Sequence, residues 1–299
     1  MQISIVLPSY NSQDYLPKTL TSLSELEFNG EYEIIVVDCS EGDAVKNACG
    51  DFSLIRFHHE QQRFNPGRGR NIGASLAKGD LLIFVDTDVS LEKNALQEAW
   101  KYYLEGHKIF GGALELDREG SASIASYLEH FFFNHESQKG RPVCVRSNLS
   151  SALMLFDRET FIANGGFTDI PRMQDTELTE RMIRQGYSLS FNPAVVGLQI
   201  QDSPFDKVLK KIQINGKNLF FIRYQNMPAW KKVAFFFLLP GISAFKVLRI
   251  IARHLRYQDA RGKAVTVALI PLLILGGGYW MVGLYQSLIF GGEISKHRD

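Results

Sequence analysis

Two aspartates one residue apart, Asp86 and Asp88, follow directly on the apolar run LLIFV at 81–85. In an open α/β sheet, ligands collect beyond the carboxyl ends of the strands. In extended geometry, residues i and i+2 point the same way. Two carboxylates side by side repel unless a cation joins them, and their hard oxygens suit Mg²⁺ or Mn²⁺. Such an ion neutralises a departing diphosphate. The structural alternative is a solvated turn with two acids, the commoner case for an isolated Asp-x-Asp.

Three further segments could act with this pair. Asp38 ends the apolar run EIIVV at 33–37, where an acid can accept hydrogen bonds from a base or ribose. Alternatively it caps a helix starting near Gly42. The segment PGRGRNIG at 66–73 offers Arg68 and Arg70 as a clamp for phosphate oxygens, with glycines that let backbone approach. Its structural alternative is a surface loop entering a helix. Asp175 stands just before or at the start of a helical stretch, where a carboxylate can take a proton from an acceptor hydroxyl. It could equally serve there as a helix cap, with acids favoured by the helix dipole.

Other chemistries find little support. The seven histidines have no metal-ligand spacing, and no GxSxG or Cys/His nucleophile pattern occurs. Cys39, Cys49 and Cys144 form neither a disulfide framework nor a CxxC pair, which fits reduced thiols in the cytosol. A net charge of +1 gives no reason to expect nucleic acid. No signal peptide is read at the N-terminus.

The elements that must position these residues are legible in outline. The 299 residues suffice for one large α/β domain with an appendage. Strand-like runs at 3–7 (ended by Pro8), 33–37, 53–57 and 81–85 alternate with helical patterns at 16–23 and 69–78. That alternation predicts a mostly parallel sheet flanked by helices. Helical stretches follow near 122–133, 176–185 and 206–224, with a β-like run near 151–156.

Composition shifts at about Met227. Lys246, Arg249, Arg253 and Arg256 recur at helical spacing among apolar residues, predicting a basic amphipathic helix over about 241–258. A hydrophobic segment of about 264–292 carries no charge and exceeds the roughly 20 residues a bilayer crossing needs. The expected division is therefore 1–226 and 227–299, the second part membrane-associated. Basic residues beside the apolar segment predict the cytoplasmic face. The alternative is a helical pair packed on the domain, or on a second copy in a homo-oligomer.

Taken in order, SIVLPSYN, EIIVVD, GRGRNIGASLAKGDLLIFVDTDV, GGF at 165–167 and QDTELTERMIRQGYSLSFNP resemble the family-2 glycosyltransferases of the GT-A fold, in their membrane-associated bacterial form. The resemblance covers about 200 residues. It implies that Pro8, Tyr10, Asn11 and Asp38 line a nucleotide pocket. Arg68, Arg70 and Asn71 would lie near the base and diphosphate. Asp86 and Asp88 would hold donor and metal, Mg²⁺ or Mn²⁺, and Asp175 would be the general base of an inverting transfer. The implied donor is a nucleotide sugar, a UDP-sugar foremost, and the acceptor a carbohydrate or lipid-linked hydroxyl in polysaccharide synthesis. The chain departs from the pattern in three places. Cys39 replaces a second acid after Asp38, Gln174 replaces the acid before Asp175, and Gln199 and Gln201 occupy the stretch where many members place a metal-binding histidine. Two rival classes stand beside this reading. A sugar nucleotidyltransferase would carry a basic glycine-rich loop after the first strand, where PSYNSQDY stands instead. A non-catalytic, membrane-bound nucleotide-binding scaffold would account for the three departures.

Overall fold

The computed structural model of the chain describes every residue except 51, 53, 120–122, 292 and 295–299. Ser53, Ala122 and Gly292, the edges of three sequence-predicted segments, thus lie outside the described residues.

The chain divides into two compact units. The first comprises 1–115, 141–170 and 174–200; the second comprises 116–140, 171–173 and 201–299. The expected boundary at 226/227 therefore differs from the observed one. The helix at 205–223 belongs with the C-terminal helices, against which its small and apolar face is buried.

The sheet of the first unit begins with four parallel strands, β1 (Ile3–Ser9), β2 (Tyr32–Asp38), β3 (Ile55–His59) and β4 (Leu81–Val85), in the order β3-β2-β1-β4. β1, β2 and β4 read as continuous apolar runs or nearly so, as strands covered on both faces should, while β3 (IRFHH) at the sheet edge is more polar and only partly buried. Pro8 does not end β1: it pairs in register with Val37, and Ser9 with Asp38. Beyond β4 the sheet is no longer all parallel, its next strand pairing antiparallel to β4. The order runs β8 (Leu153–Asp157), β6 (Ile109–Leu116), β9 (Leu189–Gln199) and β5 (Val89–Leu91), with β7 (Cys144–Arg146) paired to β9.

Helices cover both faces. α1 (Leu16–Ser24), α2 (Ala44–Cys49) and α4 (Ala95–Leu104) enclose one core with Ile5, Leu7, Ile34, Val36 and Ile83. On the opposite face α3 (Pro66–Leu76), α6 (Arg158–Ala163) and α7 (Gln174–Arg184) enclose Val6, Ile35, Phe84, Met154 and Phe156. The alternation of Ile5 and Val6 between the two cores is the period-2 geometry of a strand.

The second unit is helical: α5 (Ile124–Phe133), α8 (Phe205–Arg223), α9 (Ala229–Tyr257) and α10 (Ala260–Phe290). Its core joins Leu128 and Phe132 of α5 with Ile212, Leu239, Val247, Leu273 and Leu284. α9 begins twelve residues before the amphipathic helix expected from 241, because Pro228 precedes it and no breaker intervenes before Pro240, which the helix absorbs. α9 and α10 are both long and apolar enough to cross a membrane, by length and composition.

Candidate active site

The site assembles where β1, β2 and β4 end. Asp38 is buried to 1% exposure at the end of β2. Its Oδ1 accepts from Ser9 Oγ at 2.8 Å and Ser40 Oγ at 2.7 Å, and its Oδ2 from the Ser40 amide at 3.1 Å. His59 Nδ1, on β3, stands 3.4 Å from Oδ2. Asp38 caps no helix; α2 starts after Asp43 instead. The hydroxyls of Ser9, Ser12 and Ser40 tie the β1 and β2 ends together, and sequence reading missed all three. Pro8 is half-buried on β1 just before this cluster. Beside it, Arg63 lies over the Tyr10 ring at 4.3 Å, and Asn11 adopts a left-handed φ of 51°. Its amide donates to Ser40 Oγ at 2.7 Å. A non-glycine residue held in that region marks a place where the surroundings dictate the backbone.

PGRGRNIG is neither a loop nor a helix starting at 69. Asn65 caps α3, accepting from the Arg68 amide at 3.0 Å, and Pro66 takes the first position. An N-cap Asn followed by Pro is a helix start signal. The helix places Arg68 and Arg70 differently. Arg68 is exposed. Arg70 is 2% exposed and pairs through Nη2 with Asp86 Oδ1. Its guanidinium also lies 5.5 Å from the Phe167 ring. Arg70 Nε, likewise buried, has no hydrogen-bond partner. Asn71 holds the glycine turn: its amide nitrogen donates to the Phe167 carbonyl at 2.8 Å, and its oxygen accepts from the Phe167 amide at 2.9 Å.

Asp86-Thr87-Asp88 forms a turn between β4 and β5, not an extended segment. The i, i+2 alternation expected from sequence therefore does not aim these carboxylates. Backbone bonds do so instead. The Asp86 amide donates to the Ala152 carbonyl at 3.3 Å, and the Asp88 carbonyl accepts from Ile200 at 2.9 Å. From α1, Thr19 Oγ1 donates to the Thr87 carbonyl at 2.8 Å, anchoring the turn from the other side. Asp86 faces Arg70, and Asp88 faces Gln199 Nε2 at 3.4 to 3.5 Å. Both carboxylates remain partly accessible.

These two acids fit a hard divalent cation in donor chemistry: both offer carboxylate oxygen at the end of a buried strand. Among the described residues no group of three or more His, Cys, Asp and Glu gathers that could hold a metal. An ion here would thus complete its shell with water and phosphate oxygens, as Mg²⁺ does where few protein ligands are offered.

Asp175 lies in the first turn of α7. Burial pushes its carboxyl above the usual aspartate range; the Thr176 and Ser151 amides and the Arg70 charge pull it down, and Asp86 adds a further push up. Arg70 thus acts electrostatically on both Asp86 and Asp175. Gln174 holds the preceding loop, its Nε2 donating to the Ile170 carbonyl at 2.7 Å and to Asn65 Oδ1 at 3.3 Å. An acid in its place could accept but not donate, so its replacement of the usual acid has a structural counterpart here.

The profile described as glycosyl transferase family 2 matches residues 4–163. A poly(ribitol-phosphate) β-N-acetylglucosaminyltransferase, TarS of Staphylococcus aureus, is 32% identical over 112 residues, which are 36% of this chain and 20% of that protein. The uncharacterized glycosyltransferase YfnE of Bacillus subtilis is 27% identical, across 60% of this chain and 45% of its own length. A GalNAc(5)-diNAcBac-PP-undecaprenol β-1,3-glucosyltransferase of Campylobacter jejuni is 30% identical, across 41% of each. The chain spans less than half the length of these curated relatives. Among solved structures, the Pyrobaculum calidifontis mannosyltransferase PcManGT, in complex with GDP-Man and Mn²⁺, superposes with a TM-score of 0.65 at 15% identity. The match covers 97% of this chain and 88% of that one. TarS residues 1–349 with UDP-GlcNAc follow at 0.53 and 16% identity, across 95% and 89%. The fold is thus the GT-A fold, and the chain belongs to glycosyl transferase family 2.

Proposed function

We propose that the protein transfers a sugar from a nucleoside-diphosphate donor to an acceptor hydroxyl with inversion. The observation that carries this is the Asp86–Arg70 pair at the end of β4, with Asp175 within the field of both. Arg70 supplies buried positive charge where a diphosphate would leave. Asp38, Pro8, Tyr10 and Asn11 line the nucleoside side, and Arg68 is free in position to meet outer phosphate oxygens. Asp86 and Asp88 would hold Mg²⁺ or Mn²⁺, which when bound supplies charge neutralisation to the leaving group. Asp175 takes the proton of the acceptor hydroxyl. The acceptor oxygen forms its bond to the anomeric carbon from the face opposite the leaving group. The bond to the diphosphate oxygen breaks and its electron pair departs with the nucleoside diphosphate. Raised basicity of Asp175 suits a general base better than an ordinary aspartate does.

A UDP-sugar is the favoured donor, since the solved TarS fragment holds UDP-GlcNAc; the GDP-Man complex makes a guanosine donor the second candidate. A lipid-linked or polymeric acceptor at the cytoplasmic membrane face is supported by the Campylobacter relative's undecaprenol-linked acceptor and by α9 and α10. The test is a panel of UDP- and GDP-sugars with Mn²⁺ and the purified protein. Release of nucleoside diphosphate is expected. Release of pyrophosphate would instead indicate a nucleotidyltransferase, and no turnover with any donor would favour a binding scaffold.

A further inference from the structure

Resting on the membrane association proposed above, we infer that the α9–α10 hairpin lies in the plane of one leaflet and does not cross the bilayer. Its occupant is an anionic lipid surface. Three observations within the second unit carry this.

The first is length. Between Lys232 and Lys246, α9 has thirteen uncharged residues. At about 1.5 Å per residue they reach roughly 20 Å, short of the roughly 30 Å hydrocarbon core.

The second is packing. One face of α9, running through Phe235, Leu239, Ser243, Val247, Ile250 and His254, is buried along its whole length. α10 is held against α8 backbone to backbone. A Cβ on Gly216 would stand 2.1 Å from the Trp280 carbonyl oxygen, and one on Gly283 would stand 1.9 Å from that of Gln213. Ser287 Oγ donates to the Lys217 carbonyl at 2.9 Å, and Trp280 Nε1 to Asn215 Oδ1 at 3.2 Å. α8 carries Asp206, Lys207, Lys210, Lys211, Lys217 and Arg223. A crossing α10 would draw these charges into hydrocarbon, where ionised side chains are strongly disfavoured.

The third is the outward face. Trp230, Val233, Phe237, Phe245 and Leu248 of α9 are 59–74% exposed, and Val267 and Ile274 of α10 are 58% and 59% exposed. Most of the apolar length of both helices is left uncovered. Lys231, Arg249, Arg256, Arg261 and Lys263 are exposed on the same hairpin, with Asp259 as the acid between its helices. An apolar face flanked by cations is the pattern of an interfacial helix, and it complements anionic headgroups.

The experiment uses the full chain in vesicles of 7:3 phosphatidylcholine and phosphatidylglycerol, with protein added from outside. Single cysteines replace Gln225, before α9, Ala260, at the start of α10, and Glu293, beyond the end of α10, in a Cys144→Ser background. In-plane binding predicts that a membrane-impermeant maleimide labels all three from outside. It also predicts roughly tenfold or greater weakening of flotation in Phe237→Glu/Phe245→Glu, and weaker binding to pure phosphatidylcholine. Both substituted side chains are exposed, so the fold persists, checked by an unchanged circular dichroism spectrum. If one site labels only after the vesicles are permeabilised, the hairpin spans and the inference fails while membrane association stands. If the chain does not float with either lipid, membrane association fails with it.

Discussion

Arg70 offers the sharpest stability test of the site. Arg70→Met keeps much of the apolar stem beside Phe167 and removes the guanidinium. Asp86 then loses its ion-pair partner, and Asp175 loses a charge that lowers its pKa. Removing one member of a buried pair costs about 3–5 kcal/mol. Here the Asp86 side chain is 35% exposed, so water screens it and the expected loss falls to about 2 kcal/mol. For a unit of this size that lowers Tm by roughly 4–8 °C. Trp100 reports the first unit alone once Trp230 and Trp280, both in the second, are replaced by Phe. In that background Arg70→Met, Asp86→Asn and the double variant form a cycle. A coupling of about 1 kcal/mol or more is expected, because Asp86→Asn leaves a buried arginine uncompensated. If Arg70→Met shifts Tm by less than about 1 °C, or the two changes add, the guanidinium is not held in a buried pair and the reasoning is wrong.

Asp175 and Gln199 give two further expectations. A general base works deprotonated, so the acid limb of kcat/KM should lie above the ordinary aspartate value of 3.8, in the direction burial pushes Asp175; a limb at or below it would contradict the assignment. Because the folded-state pKa is raised, the folded protein favours protonated Asp175. Its contribution to stability is present at low pH and lost as pH rises from 3.8 through the raised value. Asp175→Asn should therefore be more stable than the parent at pH 7, with the gap closing in acid, as denaturant titrations at both pH values would reveal. Gln199→His places an imidazole beside Asp88. If Asp88 holds the ion, Mn²⁺ affinity should rise severalfold in a titration followed by the spectrum of free Mn²⁺; unchanged affinity would mean the ion binds elsewhere.

How much of this was legible in sequence follows from what each feature depends on. Asp86 and Asp88 were readable because a buried parallel strand leaves an apolar run, and the residue after it stands at the ligand edge of the sheet. Their geometry was not, because the turn is fixed by Thr19 and Ala152, distant in sequence. The α3 start was written locally in Asn65-Pro66, and glycine at 67 and 69 masked it. Ser9 meets Asp38 only because the β1–β2 register sets them opposite, a pairing no spacing rule gives. Arg70 reads as a phosphate clamp in sequence, and its burial against Asp86 emerges only when α3 packs on the sheet. The attachment of α8 to α10 rests on Gly216 and Gly283, 67 positions apart, and no local pattern announces it.

The central claim is that Asp175 removes the acceptor proton while donor binding rests on the β1, β2 and β4 ends. Asp175→Asn tests it in one preparation. Donor affinity is read by nucleotide-sugar thermal stabilisation with Mn²⁺, and turnover by release of nucleoside diphosphate with acceptor present. Affinity within about twofold of the parent and turnover reduced by roughly a hundredfold or more are expected. Turnover near that of the parent would contradict the account.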